Sequence, residues 1–93
     1  MKSRRRFKRL SVLGSVRIRV IPENRTIEGY IANMSKTGMG AYIPKTIKKR
    51  TEIEIDMTYF DRDSKLITEH HKGLVAWMKQ FAQTYAIGIK YIE

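Results

Sequence analysis

The sequence predicts an all-β fold, a small six-stranded antiparallel β-barrel, on three observations. Two segments alternate apolar and polar residues with the period of a strand buried on one face. Six strand-like segments follow one another at short, regular spacing. No segment carries a convincing helical period. With 93 residues the chain can enclose one hydrophobic core but not two. We divide it into a flexible basic N-terminal arm, residues 1–10, and one barrel domain, residues 11–93, with little or no C-terminal helix.

The arm opens with "RRRFKRLSV", Arg4 to Val12, which places five cations in six residues before turning apolar. Dense like charge, with Phe7 as the only large apolar side chain after Met1, predicts disorder over about Met1 to Lys8. "SVRIRVI" then sets Val16, Ile18 and Val20 against Arg17 and Arg19. "TIEGYIAN" and "GMGAYIP" are shorter and carry glycines, the mark of strands bent or bulged about the "NMSKTG" turn. "EIEIDMT" alternates most sharply, with Ile53, Ile55 and Met57 opposed to Glu52, Glu54 and Asp56. The mixed, polar "YFDRDSKLITEHH" reads as a long connection or the start of a ragged strand. "GLVAWMKQF" and "TYAIGIKYI" complete the set as a hairpin about Gln80 to Gln83.

The net charge of +10 is uneven: residues 1–50 hold 14 basic and 2 acidic side chains, and residues 51–93 hold 5 and 7. Such a field favours an anionic partner, whether nucleic acid, nucleotide or acidic lipid, without identifying it. The absence of cysteine excludes disulfides and thiolate metal sites and suits a reducing compartment. No apolar run has the length of a membrane span, and the basic start lacks the apolar stretch and cleavage site of a signal peptide. The expectation is a cytoplasmic protein with no membrane insertion.

Two motifs carry chemistry. Arg5 and Arg9 stand four apart, with Arg4, Arg6 and Lys8 on the same arm. Guanidinium is planar, permanently charged and forked, so it can grip a phosphate, pair with the O6/N7 edge of guanine, or stack on a base. Taken alone, the arm also reads as a solvated basic tail. In "NMSKTGMG", Asn33 and Ser35 are two apart and share a face if the strand reaches them, while Gly38 can adopt positive φ and admit a ligand close to the backbone. Taken alone, this motif also reads as an Asx or Ser turn satisfied by its own backbone.

An R-x-x-x-R arm running into a strand and followed by N-x-S-x-x-G resembles the signature of the PilZ domain, a bacterial receptor module for cyclic di-GMP. Arg5 and Arg9 match the first motif, and Asn33, Ser35 and Gly38 the second. "HKGLVAWMKQFAQTYAIGIKYI" is similar to the family's last two strands, so the likeness covers nearly the whole chain. The resemblance implies a barrel whose outer surface takes one guanine near Asn33, Ser35 and Gly38, with the arm folding over the phosphates and the other ring. Arg5 and Arg9 would contact phosphate and guanine, Asn33 and Ser35 the base edge, and Gly38 would provide room. Arg4 adds a guanidinium beyond the pair one ligand needs, which suits two stacked cyclic di-GMP molecules. Two departures stand out: Lys8 occupies a position where proline is common, and the sequence stops just after the last strand, where many members carry a helix.

Other residues carry weaker expectations. His70 and His71 are the only histidines, and without cysteine or H-x-x-x-H spacing they read as solvated loop residues rather than metal ligands. Trp77, alternating with Val75, reads as barrel core rather than a stacking platform. Glu52, Glu54 and Asp56 read as the outer face of a strand. With no assembled nucleophile, base and orienting group, no catalytic residues and no enzymatic activity are expected. No cofactor is expected beyond the cyclic di-GMP ligand, and a protein effector is expected as partner. The main alternative is a basic nucleic-acid-binding barrel, disfavoured because the cations concentrate on the arm and no paired-aromatic motif is present. A PilZ-like domain that binds only a protein is disfavoured by the intact Arg5, Arg9, Asn33 and Ser35.

Overall fold

Six antiparallel strands close into a barrel in the order β1-β2-β3-β6-β5-β4 in the computed structural model, which describes residues 13–92. The arm residues Arg4, Arg5 and Arg9 therefore lie outside the described residues. The strands are β1 (Gly14–Val20), β2 (Arg25–Met34), β3 (Gly38–Ile43), β4 (Glu52–Phe60), β5 (Leu66–Phe81) and β6 (Thr84–Tyr91). No helix occurs among the described residues.

The alternating segments form strands because closure gives each one a dry face and a wet face. Val16, Ile18 and Val20 point inward from β1 and meet Ile53, Ile55 and Met57 of β4 in register. Isoleucine dominates this core, and its branched shape fits a pleated surface. Each fully buried side chain contributes about 1.5–3 kcal/mol against the entropy of ordering the chain. The opposite faces carry charge: Arg19 of β1 bonds Glu54 of β4, which holds the Glu54 carboxyl below its ordinary value.

One end of the barrel is closed by the β3–β4 loop. Ile47 turns inward and is 2 % exposed, while its amide donates to Met78 Sδ at 3.5 Å. The loop is tied down by Arg25 donating to the Thr46 carbonyl at 2.8 Å and by Arg50 N donating to Val75 O at 2.7 Å. With Ile47 inside, Lys45, Lys48, Lys49 and Arg50 are all left outside.

The segment "YFDRDSKLITEHH" is not a long connection. Tyr59 and Phe60 finish β4, and Leu66 already begins β5. Asp61 makes the turn short by accepting from the amides of Asp63 and Lys65 at 2.8 and 2.9 Å. The segment reads as polar because the first half of β5 keeps much of its surface in contact with water. It also follows that His70 and His71 are strand residues, not loop residues.

The β5–β6 hairpin turns on Ala82 and Gln83, with Ala82 at φ 56°. An L-residue there carries a steric cost that glycine lacks. Ala82→Gly should therefore stabilise the barrel by about 0.5 kcal/mol, after the larger unfolded-state entropy of glycine offsets part of the relief. Urea denaturation of the two proteins checks this through a higher midpoint at unchanged slope.

Candidate functional site

Two β-bulges create the site. On β2, Ile31 pairs with Ala41 and Asn33 with Gly40, so Ala32 is an extra residue; on β5, Val75 pairs with Ile89 and Trp77 with Gly88, so Ala76 is extra. An extra residue reverses the side of everything beyond it. Ile31 and Val75 point inward, yet Asn33 and Trp77, two positions on, face out. Gly40 and Gly88 pair with each other across β3 and β6, so Asn33, Gly40, Gly88 and Trp77 form one row over four strands.

The two glycines are the floor of this row. A Cβ added to Gly88 would overlap the Trp77 indole, and one added to Gly40 would lie 3.1 Å from both amide atoms of Asn33. The indole and the amide therefore lie over the two glycines from the flanking strands. They line a cleft of about 180 Å³ completed by Ser35, Thr37, Gly38 and Lys90. Trp77 is 46 % exposed, so it is a wall of the cleft and not a core residue.

Ser35 follows the last residue of β2 and starts the turn into β3. Its amide donates to the Gly38 carbonyl at 2.9 Å. Its hydroxyl donates to the same carbonyl at 3.3 Å and accepts from the Thr37 amide at 3.4 Å. The turn reading thus holds for Ser35, and its long hydroxyl bonds are weak enough to be exchanged for others. The Asn33 amide has no hydrogen-bond partner among the described residues and is free to read a ligand edge.

Gly38 differs from expectation. No glycine among the described residues has positive φ; Gly38 instead lies against β6, where a Cβ would overlap the Ile89 carbonyl oxygen. It is required for close strand pairing at the base of the cleft.

A more open cleft of about 430 Å³ adjoins through Ser35 and includes Lys36, Arg62, Glu69, His71 and Tyr91. His71 stacks on Tyr91 with ring centroids 4.0 Å apart and bonds Glu69 at 2.8 Å. Tyr59 donates to the other carboxylate oxygen of Glu69, which pushes the phenol up to about 12. Partial burial works to raise the Glu69 value, but the bonds from Tyr59 and His71 outweigh it and hold Glu69 below the ordinary carboxylate range. His70 pairs with Asp56 at 2.7 Å on the outer surface. Neither histidine is a solvated loop residue.

A third trough, of about 360 Å³, crosses the outer face of β4, β1 and β2. Its charges are matched internally, with Arg17 3.5 Å from Glu28 and Asp56 bonded to His70. It offers an anion little that is unpaired.

Of the sequence-derived site residues, Asn33, Ser35 and Gly38 come together at one cleft, whereas Arg4, Arg5 and Arg9 lie outside the described residues. Sequence reasoning missed Trp77, Gly40 and Gly88. The signal was present in "GLVAWM", where Leu74 to Met78 are apolar without a break, a run that strict alternation on a half-buried strand does not produce.

The PilZ domain family model matches residues 3–93. Three solved structures share the fold. The PilZ domain of YcgR from Escherichia coli, determined with cyclic di-GMP, has a TM-score of 0.72 at 13% identity, covering 98% of this chain and 79% of that one. The Bacillus subtilis inhibitor of motility MotI/DgrA has a TM-score of 0.79 at 12% identity, covering 99% and 44%. A YcgR complex with cyclic di-GMP from E. coli has a TM-score of 0.76 at 16% identity, covering 98% and 39%. The chain thus spans less than half of the last two. No curated protein matches the sequence.

Two predictions follow from the geometry. Gly88→Ala should lift the indole off the cleft floor, shifting the emission of Trp77, the sole tryptophan, while the barrel remains folded by circular dichroism. For Glu69, the folded value lies below the unfolded 4.5, so its stabilisation is present above that pH and is lost as pH falls through the folded value. Glu69→Gln should flatten the acid limb of the stability curve, measured by urea midpoints from pH 7 to pH 3.

Proposed function

The chain belongs to the PilZ family, and on that premise we propose that it is a cyclic di-GMP receptor, not an enzyme. The observation that carries this reading is the row of Asn33, Gly40, Gly88 and Trp77, which pairs a hydrogen-bonding amide with an aromatic wall over a side-chain-free floor. A guanine edge matches the donor and acceptor of an amide, and its face suits an indole. In this reading Asn33 and Ser35 take the base edge, Trp77 packs on the ring, and Lys90 faces the phosphates. Gly38 acts indirectly by seating β3 against β6.

Arg5 and Arg9 supply the remaining grip from the arm. Each guanidinium can form paired, charge-assisted bonds to a phosphate or to guanine O6/N7. The arm folds over the dinucleotide and passes its change of conformation to a protein effector. Arg4 adds a third guanidinium, and Lys36 and Arg62 flank the adjoining cleft, so the surroundings suit the four phosphates of two stacked molecules.

Calorimetric titration with cyclic di-GMP tests the reading. Arg5→Ala or Arg9→Ala should weaken binding by about 1.5–3 kcal/mol, and Asn33→Ala or Ser35→Ala by about 1 kcal/mol, with selectivity over cyclic di-AMP reduced in the latter pair. Trp77→Phe should retain binding better than Trp77→Ala. Wild-type affinity in either arginine variant would remove the arm from the site. Two ligands per chain in wild type and one in Arg4→Ala would support the stacked pair, while one in both would refute it. An oligonucleotide of matched length, run at two salt concentrations, separates this from general nucleic-acid binding.

A further inference from the structure

We propose that the outer face at the Ile47-capped end of β3, β6 and β5 is a docking surface for a partner protein, and that it takes an acidic segment with an apolar anchor. The surface borders the ligand cleft but does not depend on the receptor reading, whose output it would supply.

Its centre is aromatic. Tyr30 and Tyr42 are cross-strand partners on β2 and β3, and Tyr42 and Phe81 approach to 6.2 Å between ring centroids. β6 passes between Tyr42 and Phe81 and offers only Ala86 and Thr84 on this face, so the two rings meet over it. Phe81 is 63 % exposed and Tyr30 72 %. Buried ring area of this kind is what anchors a protein interface, and a phenylalanine ring left in water is a standing cost that a partner would relieve.

Its rim is cationic. Lys79 pairs with Ala86, the partner of Tyr42, and so lies two strands from Tyr42, and the capping loop adds Lys45, Lys48, Lys49 and Arg50, all exposed. Anchoring Ile47 in the barrel fixes the loop that carries these four charges. The nearby acid Glu23 is already held by Arg25 at 2.6 Å. An apolar centre whose rim carries five cations, with Glu52 the exposed acid at the end of the same loop, complements an acidic rim around an aliphatic or aromatic anchor. Nucleic acid fits less well, because the Tyr42 and Phe81 rings pack on each other at 38° instead of standing apart as platforms for successive bases.

The surface is also continuous with the cleft. Trp77 lies two residues from Lys79 and four from Phe81 on the same strand, while Gly88 and Ala86 are alternate outward positions of β6. A ligand held at Trp77 would therefore border the partner.

The test is titration of the labelled protein, followed by amide and aromatic resonances, with a 15-residue peptide alternating Glu and Leu. The comparison probes are a 15-residue single-stranded oligonucleotide and phosphatidylglycerol vesicles. Saturable shifts centred on Tyr42, Lys79 and Phe81, weakened at least tenfold by Phe81→Ala or Tyr42→Ala, would support the surface. Lys48→Glu with Lys49→Glu should weaken the peptide complex and reduce its salt dependence. No saturable peptide binding, equal binding in the aromatic variants, or tighter binding of oligonucleotide or vesicles would overturn it. Each variant is also titrated with cyclic di-GMP: peptide binding without dinucleotide binding would sink the receptor reading alone, and the reverse would sink the docking surface alone.

Discussion

The arrangement of this protein's surface depends on two residues that pair with nothing. Ala32 and Ala76 are the extra residues of the bulges in β2 and β5, and each reverses the facing of its strand. In a barrel, the parity of a strand decides whether a side chain is core or surface, so one inserted residue exports every later position that alternation would have buried. Because the bulges occur at the same level on strands that flank β3 and β6, Asn33 and Trp77 emerge facing each other. The glycines between them then decide the depth of the cleft. The site is thus a property of sheet register, held by the backbone ladder, and only secondarily of the loops that close it.

This origin explains which positions tolerate change. At Gly40 and Gly88 a methyl group would meet a functional side chain, whereas at Gly38 it would meet the Ile89 carbonyl of the next strand. The first kind of substitution disturbs the site while sparing the fold, and the second separates two strands. A motif glycine with an ordinary φ is therefore a packing constraint, set here by the close approach of β6.

The strands were legible in the sequence because closure into a barrel enforces alternation, and the segments about Ile18 and Ile55 follow it without interruption. Asn33, Ser35 and Gly38 were legible as a motif because a short polar turn is local. Trp77 was misread for the reason that made the strands readable. Counting from Val75 assigns it to the core; the unbroken apolar run from Leu74 to Met78 departs from alternation, and pairing with β6 locates the skipped residue. His70 and His71 were misread because the wet half of β5 lacks an apolar face to advertise it as a strand.

The two ends of the barrel divide the labour by the same economy of core residues. At one end Ile47 fills the opening, and every other side chain of its short loop from Lys45 to Arg50 is left in solvent, mostly as cations. At the other, the opening is bordered by the Tyr59, Glu69, His71 and Tyr91 network beside the turn that carries Ser35. An apolar plug needs no partners and leaves its loop free to evolve charge; a hydrogen-bonded network fixes tyrosine, carboxylate and imidazole against one another and so constrains the turn beside it. The precise end therefore has the fixed geometry that the proposed small-ligand role requires, and the plugged, charged end the broader tolerance that the proposed protein contact requires.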